Sequence, residues 1–192
     1  MKKRFAKFLF ETVHGWSFVG DPPPQEVHRC VFVFAPHTSN WDFYFGVLCM
    51  MSMGVPIRAA IKNFWTKFPF SLIIKPLGGV GIDRSSGGKK RDQVSMLAEV
   101  FDKNEHIAFV ITPEGTRKKR TRWKMGFYHV AKKANVPMVS FAADFSKRQC
   151  WFGPVHTPDE KLEDVMTSMT SFFGGAVAYH PELFSLDERY VS

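Results

Sequence analysis

No apolar run in this chain approaches the roughly 18 to 20 residues that a membrane-spanning helix needs, so none of its segments is expected to cross a bilayer. Cysteine is scarce: Cys30, Cys49 and Cys150 are the only 3, and they show no CxxC or other metal-ligand spacing. Two of them sit in apolar runs, which argues for reduced thiols in a cytosolic setting. The glycine-lysine stretch "SSGGKK" lacks the GxxxxGK[ST] spacing of a phosphate-binding P-loop. A secretory leader is not expected either: "MKKRFAKFLFETVHGW" begins basic, but Lys7, Glu11 and His14 interrupt its apolar part and no small-residue cleavage site follows. Repeats, low-complexity tracts and convincing linkers are also missing. The expectation is one main domain at residues 25–192, preceded by a helix and connector at 1–24.

What is plentiful is aromatic and basic. The chain has 20 Phe and 5 Trp in 192 residues, and 45% of its residues are hydrophobic, enough for a sizeable core and too many for a disordered segment. Lys and Arg number 26 against 18 Asp and Glu, a net +8 that favours anionic partners: phosphorylated ligands, nucleic acid or an acidic membrane surface. On a helix, Phe5, Phe8, Leu9, Thr12, Val13 and Trp16 fall on one stripe, with Lys2, Lys3, Arg4 and Lys7 elsewhere. That stripe either docks on the domain or enters a membrane interface.

After "DPPP" at residues 21–24, strand-like runs alternate with helical patterns. "RCVFVFA", "IRAAI", "GGVGID", "HIAFVIT" and "PMVSFAAD" read as strands. "WDFYFGVLCMMSM", "FPFSLII", "KKRDQVSMLAEVFDKN", "WKMGFYHVAKKAN" and "TPDEKLEDVMTSMTSFF" read as helices. Such alternation predicts a single-domain α/β layered sandwich, with a largely parallel central sheet flanked by helices. Ligands bind such sheets where strands end and helices begin. Three polar clusters fall at those junctions: "PHTSNWD", "IDRSSGGKKR" and "TPEGTRKKRTR".

If Ser39 or Asn40 caps a helix, Asp42 lies in its first turn and can accept a hydrogen bond from the His37 imidazole, leaving the other ring nitrogen to face a pocket as a general base. The plainer alternative is that Asp42 complements the helix dipole while His37 is an ordinary surface residue. In the third cluster Gly115 permits a tight turn, Glu114 and Thr116 offer polar groups, and Arg117 suits a bidentate phosphate contact. Lys118, Lys119, Arg120 and Arg122 add field, unless the whole run simply faces water. Arg84 supplies a second cation, and Lys62 is a further candidate. The segment "KNFWTKFPF" is a basic-aromatic surface, or core.

Taken together these motifs resemble those of the PlsC-type glycerolipid acyltransferases, the lysophosphatidic acid (1-acylglycerol-3-phosphate) acyltransferases and their relatives. "HTSNWD" is similar to the family's His-x4-Asp motif. "GGVGIDR" is like its glycine-rich segment ending in arginine, and "TPEGTR" is close to Phe-Pro-Glu-Gly-Thr-Arg, with Thr112 where phenylalanine is usual. "VPMVSFA" resembles its last, Val-Pro segment. The resemblance implies transfer of a fatty acyl group from acyl-CoA or acyl-carrier protein to a lysolipid hydroxyl, with His37 as general base and Asp42 as its orienter. Arg84, Glu114, Gly115, Thr116, Arg117, Ser39 and Lys62 would surround the acceptor, Ser39 as a cap or support, and Pro137 would shape the donor side. A thioester is activated enough that no covalent serine or cysteine intermediate, cofactor or metal is implied.

The long two-helix membrane module of some relatives has no counterpart before His37, so attachment is expected to be peripheral, at the inner face of the cell membrane. The acceptor remains open among 1-acylglycerol-3-phosphate, another lysolipid and an amine lipid. Two other classes stay in view: a basic module binding nucleic acid or an anionic surface, which leaves "HTSNWD" and "TPEGTR" without purpose, and a thioester hydrolase.

Overall fold

A computed structural model describes residues 2–21, 23–55, 57–62, 79–82 and 92–191. Seven strands form one sheet: β1 (Ser17–Phe18), β2 (Arg29–Ala35), β3 (Ile57–Lys62), β4 (Gly79–Ile82), β5 (Ile107–Ile111), β6 (Met138–Asp144) and β7 (Gln149–His156). Their order is β1-β7-β6-β2-β5-β3-β4. The five from β6 to β4 are parallel, while β7 runs antiparallel to β6 and β1 follows β7. The expected α/β sandwich with a largely parallel sheet is what forms.

The central strand shows why. After Arg29, β2 is an unbroken apolar run because both of its faces are covered. Val31, Val33 and Ala35 join one core with Phe109, Phe127, Met138, Met166 and Phe173. Cys30, Phe32 and Phe34 point the other way, into a core with Phe10, Trp16, Leu48 and Phe141. The first core is roofed by α3 (Gln93–Asp102), α4 (Gly126–Ala134) and α5 (Leu162–Phe173), the second by α1 (Lys2–Lys7) and α2 (Asn40–Met53).

Two of the elements that depart from the sequence reading bear on the packing. The N-terminal segment is not one continuous α-helix: after α1 it continues as a π-helix, Phe8–Val13. Hydrogen bonds that reach one residue further than in an α-helix rotate the faces. Ala6, Phe10 and Trp16 are buried, whereas Phe5, Phe8 and Val13, which share the expected stripe with Trp16, are exposed. The second departure is β7, a strand the sequence reading does not contain. It holds Gly153 and Pro154, residues that ordinarily weaken a strand. A Cβ at Gly153 would fall 2.4 Å from the Phe172 ring of α5, so glycine is what lets that helix seat. Pro154 falls at the register shift of the β6–β7 ladder, between the Val139–Val155 and Phe141–Phe152 pairs, the kind of bulge where a strand tolerates proline. The expected helix over "FPFSLII" and the "KNFWTKFPF" aromatics lie outside the described residues.

Candidate active site

β2 ends at Ala35, and the chain turns through Pro36 to Ser39 before α2 begins. That turn is built by Asp42. Its Oδ2 accepts the backbone N–H of Ser39 at 2.7 Å and that of Thr38, and the Ser39 Oγ accepts the Trp41 N–H at 3.2 Å, a reciprocal capping box. Asp42 is thereby completely buried. His37 stands above it with Nδ1 3.7 Å from Asp42 Oδ2. This is ion-pair reach but longer than a hydrogen bond, and neither His37 Nδ1 nor Asp42 Oδ1 has a hydrogen-bond partner among the described residues. The expected hydrogen bond is not formed, because Asp42 turns one oxygen toward its own helix cap. Catalytic contacts in empty sites are often this long and tighten on substrate.

The "TPEGTR" segment follows β5, which lies beside β2 in the sheet. Glu114 is buried, and neither of its carboxyl oxygens has a partner at full hydrogen-bond geometry among the described residues. Burial pushes its pKa up to about 8, helped by the charge of Asp42 and opposed by the His37 amide. Burial thus favours the protonated form of Glu114 near neutral pH. Burial likewise raises Asp42 to about 6, against the Ser39 and Thr38 amides that lower it. His37 is lowered to about 4, chiefly by burial and then by the Arg117 charge. At neutral pH the imidazole is uncharged, as a base must be, and Asp42 is ionised.

Arg117 joins the two motifs: its Nη1 donates to Asn40 Oδ1 at 2.5 Å. His37, Gly115, Thr116 and Arg117 line one cleft of about 470 Å³, whose apolar walls include Val94, Leu97, Val110 and Val130. Four candidates from the sequence thus meet in a single cavity, with Asp42 and Glu114 buried behind it. Ser39 commits its hydroxyl to the helix cap. Lys62 ends β3 in register with Ile82, at the same end of the parallel sheet; its side chain and Arg84 lie outside the described residues. Pro137 opens β6 at the far end of the sheet, its carbonyl accepting the Val31 N–H at 2.9 Å, so it does not sit beside His37. Among the described residues no three of His, Cys, Asp and Glu come together as metal ligands.

A model of the family described as Acyltransferase matches residues 19–144, more than half of the chain. This chain is a member of that family. The acyltransferase is also similar in structure to the 1-acyl-sn-glycerophosphate (LPA) acyltransferase PlsC from Thermotoga maritima, with a TM-score of 0.61 at 16% identity, over 89% of this chain and 74% of that one. Identity this low speaks to the fold. No curated protein sequence matches the acyltransferase.

Sequence reasoning missed a part of the site that lies beyond the family match. The segment after α5 returns to the cleft: the His180 N–H donates to Thr38 Oγ1 at 3.1 Å, bracing the turn that holds Asp42. Further on, buried Asp187 accepts the Trp123 N–H at 2.8 Å and pairs with Arg189 at 2.6 Å. The Glu188 N–H donates to Thr121 O at 3.0 Å. These contacts hold the cationic loop from behind, leaving Lys118, Lys119, Arg120 and Arg122 exposed. No local pattern in "FSLDERY" announces a long-range clamp.

Proposed function

We propose that this acyltransferase moves a fatty acyl group from acyl-CoA or acyl-carrier protein to the free hydroxyl of a lysolipid, 1-acylglycerol-3-phosphate above others, with His37 as general base oriented by Asp42. The observation that carries the reading is the meeting of an uncharged, cleft-lining imidazole, a buried carboxylate 3.7 Å behind it and the Arg117 cation in one cavity.

The acceptor hydroxyl gives its proton to His37 as its oxygen bonds to the thioester carbonyl carbon. The carbon–sulfur bond then breaks, and the leaving thiolate recovers the proton from the imidazolium. The charge of Asp42 stabilises that imidazolium. General-base assistance of this kind is worth roughly 10² to 10⁴ in rate, about 3 to 5 kcal/mol of barrier. An anionic headgroup beside Arg117 offsets the lesser of the two causes that depress His37, after burial, and so makes the imidazole a somewhat stronger base. Thr116, Gly115, Arg117, Lys62 and Arg84 are the proposed surroundings of that headgroup, with Glu114, its protonated form favoured, beneath them.

No helix among the described residues is long and apolar enough to cross a membrane. Exposed Phe5, Phe8 and Val13 beside Lys3, Arg4 and Lys7 support peripheral attachment to an anionic inner-face surface. No nucleic acid is required.

The test supplies palmitoyl-CoA or palmitoyl-carrier protein with lysophosphatidic acid, another lysophospholipid or an amine lipid in anionic vesicles, and identifies the lipid formed. A new diacylated lipid with one acceptor supports the proposal. Free fatty acid formed at the same rate without any acceptor would instead make the protein a thioester hydrolase.

A further inference from the structure

Gly115 has a neighbour that its own motif does not announce. Its φ of +63° lies in the left-handed region, and a Cβ built on it would stand 2.8 Å from Cδ, 3.1 Å from Cε and 3.1 Å from Nζ of Lys124. The lysine stem therefore lies across the bare α-carbon of the glycine, and any side chain at position 115 would displace it. Lys124 is brought there by the backbone: its N–H donates to Pro113 O at 2.8 Å, so the chain leaves β5, traverses the cationic loop and returns to its starting point. Trp123, buried and held by Asp187 and Ser185, fixes that return.

Gly115 and Lys124 both line the His37 cleft. Among the described residues, the other cation lining the cleft, Arg117, directs one nitrogen to Asn40, which makes it a bridge between the two motif loops. An ammonium on a four-carbon stem is a compact charge that can follow a phosphate as it settles. Lys124 is exposed where its stem passes over Gly115, so its ammonium is open to an incoming anion.

We propose that Lys124 is the specificity-determining residue for a phosphate-bearing acceptor, pairing its ammonium with the headgroup anion in the cleft, and that Gly115 is glycine in order to admit it. The inference rests on the acyl-transfer reading for the identity of the acceptor, and direct binding tests it separately.

The experiment titrates a short-chain 1-acylglycerol-3-phosphate, below its micellar concentration, into the full chain by calorimetry, with the matching monoacylglycerol as the phosphate-free control. Turnover on both acceptors is measured in parallel, and thermal melts confirm folding. Lys124→Met keeps the stem and removes the charge. It is expected to weaken phosphate-acceptor binding, and raise its KM, roughly tenfold or more, with kcat within about threefold and monoacylglycerol behaviour unchanged. Lys124→Arg should restore most of the loss, and Gly115→Ala should reproduce it by pushing the stem aside. Equal binding by Lys124→Met and wild type, or no preference of wild type for the phosphate, overturns the inference. If binding falls as expected while no variant, nor the wild type, transfers an acyl group, the subsite stands and the acyl-transfer reading fails.

Discussion

Two of the histidine–carboxylate pairs close in sequence among the described residues, His37–Asp42 and His156–Glu160, are opposites. At the end of β7, His156 Nδ1 lies 2.6 Å from Glu160 Oε2, the same carboxylate accepts the Thr157 N–H at 2.6 Å, and the Tyr128 hydroxyl donates to the Glu160 carbonyl at 2.8 Å. Because β7 opposes β6, with His156 across from Met138, this pair sits at the end of the sheet away from His37. There the hydrogen bond is made, and the partners hold Glu160 below its usual range even against its own burial. At the end of β2, the His37 and Asp42 groups stand 3.7 Å apart with no hydrogen bond between them, and burial shifts both away from their charged forms. A pair whose hydrogen bond is complete contributes stability. A pair left open beside a cleft keeps its capacity for a ligand, at some cost in folding energy.

The largest expected effect follows from that contrast. His37→Ala should lower kcat roughly 10² to 10⁴-fold while the melting temperature hardly changes, measured as acyl product against a thermal melt of the same samples. His156→Ala should do the reverse. It removes a charge-assisted hydrogen bond, worth roughly 1 to 3 kcal/mol, and should lower the melting temperature by several degrees with kcat per folded molecule unchanged.

Glu114 sharpens the comparison through pH. A carboxyl raised to about 8 binds its proton more tightly folded than unfolded, so folding stability falls as pH rises from the ordinary glutamate range toward 8. Glu114→Gln mimics the neutral acid and removes that dependence. Its melting temperature should match the wild type near pH 5 and exceed it increasingly up to pH 8, with turnover at pH 7 retained. A difference independent of pH would mean that Glu114 is ionised in the folded protein. The smallest effect is expected at Ser39, whose hydroxyl caps α2: Ser39→Ala should cost about 1 kcal/mol of stability, read by denaturant titration, with no more than a modest loss of rate.

How much of this was legible in the sequence depends on how local each feature is. β2, α2 and the Asp42 cap were readable from "RCVFVFAPHTSNWDF" because hydrophobic run, capping residue and acid lie within a few positions of one another. The position of "TPEGTR" beside His37 was readable once alternation implied a parallel sheet, since neighbouring strands then end together. What stayed hidden depends on contacts between distant residues. Gly153 and Pro154 masked β7 because the ring that explains the glycine belongs to Phe172. Glu160 was hidden as the partner of His156, and Asp187 and His180 as braces of the site. Lys124 stood inside a pattern that reads as helix, and only the return of the loop to Pro113 shows that it reaches the cleft. The N-terminal stripe divides instead of acting as one face: Trp16 docks on the domain while Phe5, Phe8 and Val13 stay exposed, in a segment that is α-helical only to Lys7 and a π-helix beyond it.

The central claim, that the open pair at His37 performs acyl transfer, is tested most directly by thiol release from palmitoyl-CoA and from palmitoyl-carrier protein in anionic vesicles, with and without lysophosphatidic acid, for wild type, His37→Ala and His156→Ala. The account predicts acceptor-dependent release in wild type and in folded His156→Ala, and none above background in His37→Ala. Undiminished acceptor-dependent release by His37→Ala would contradict it.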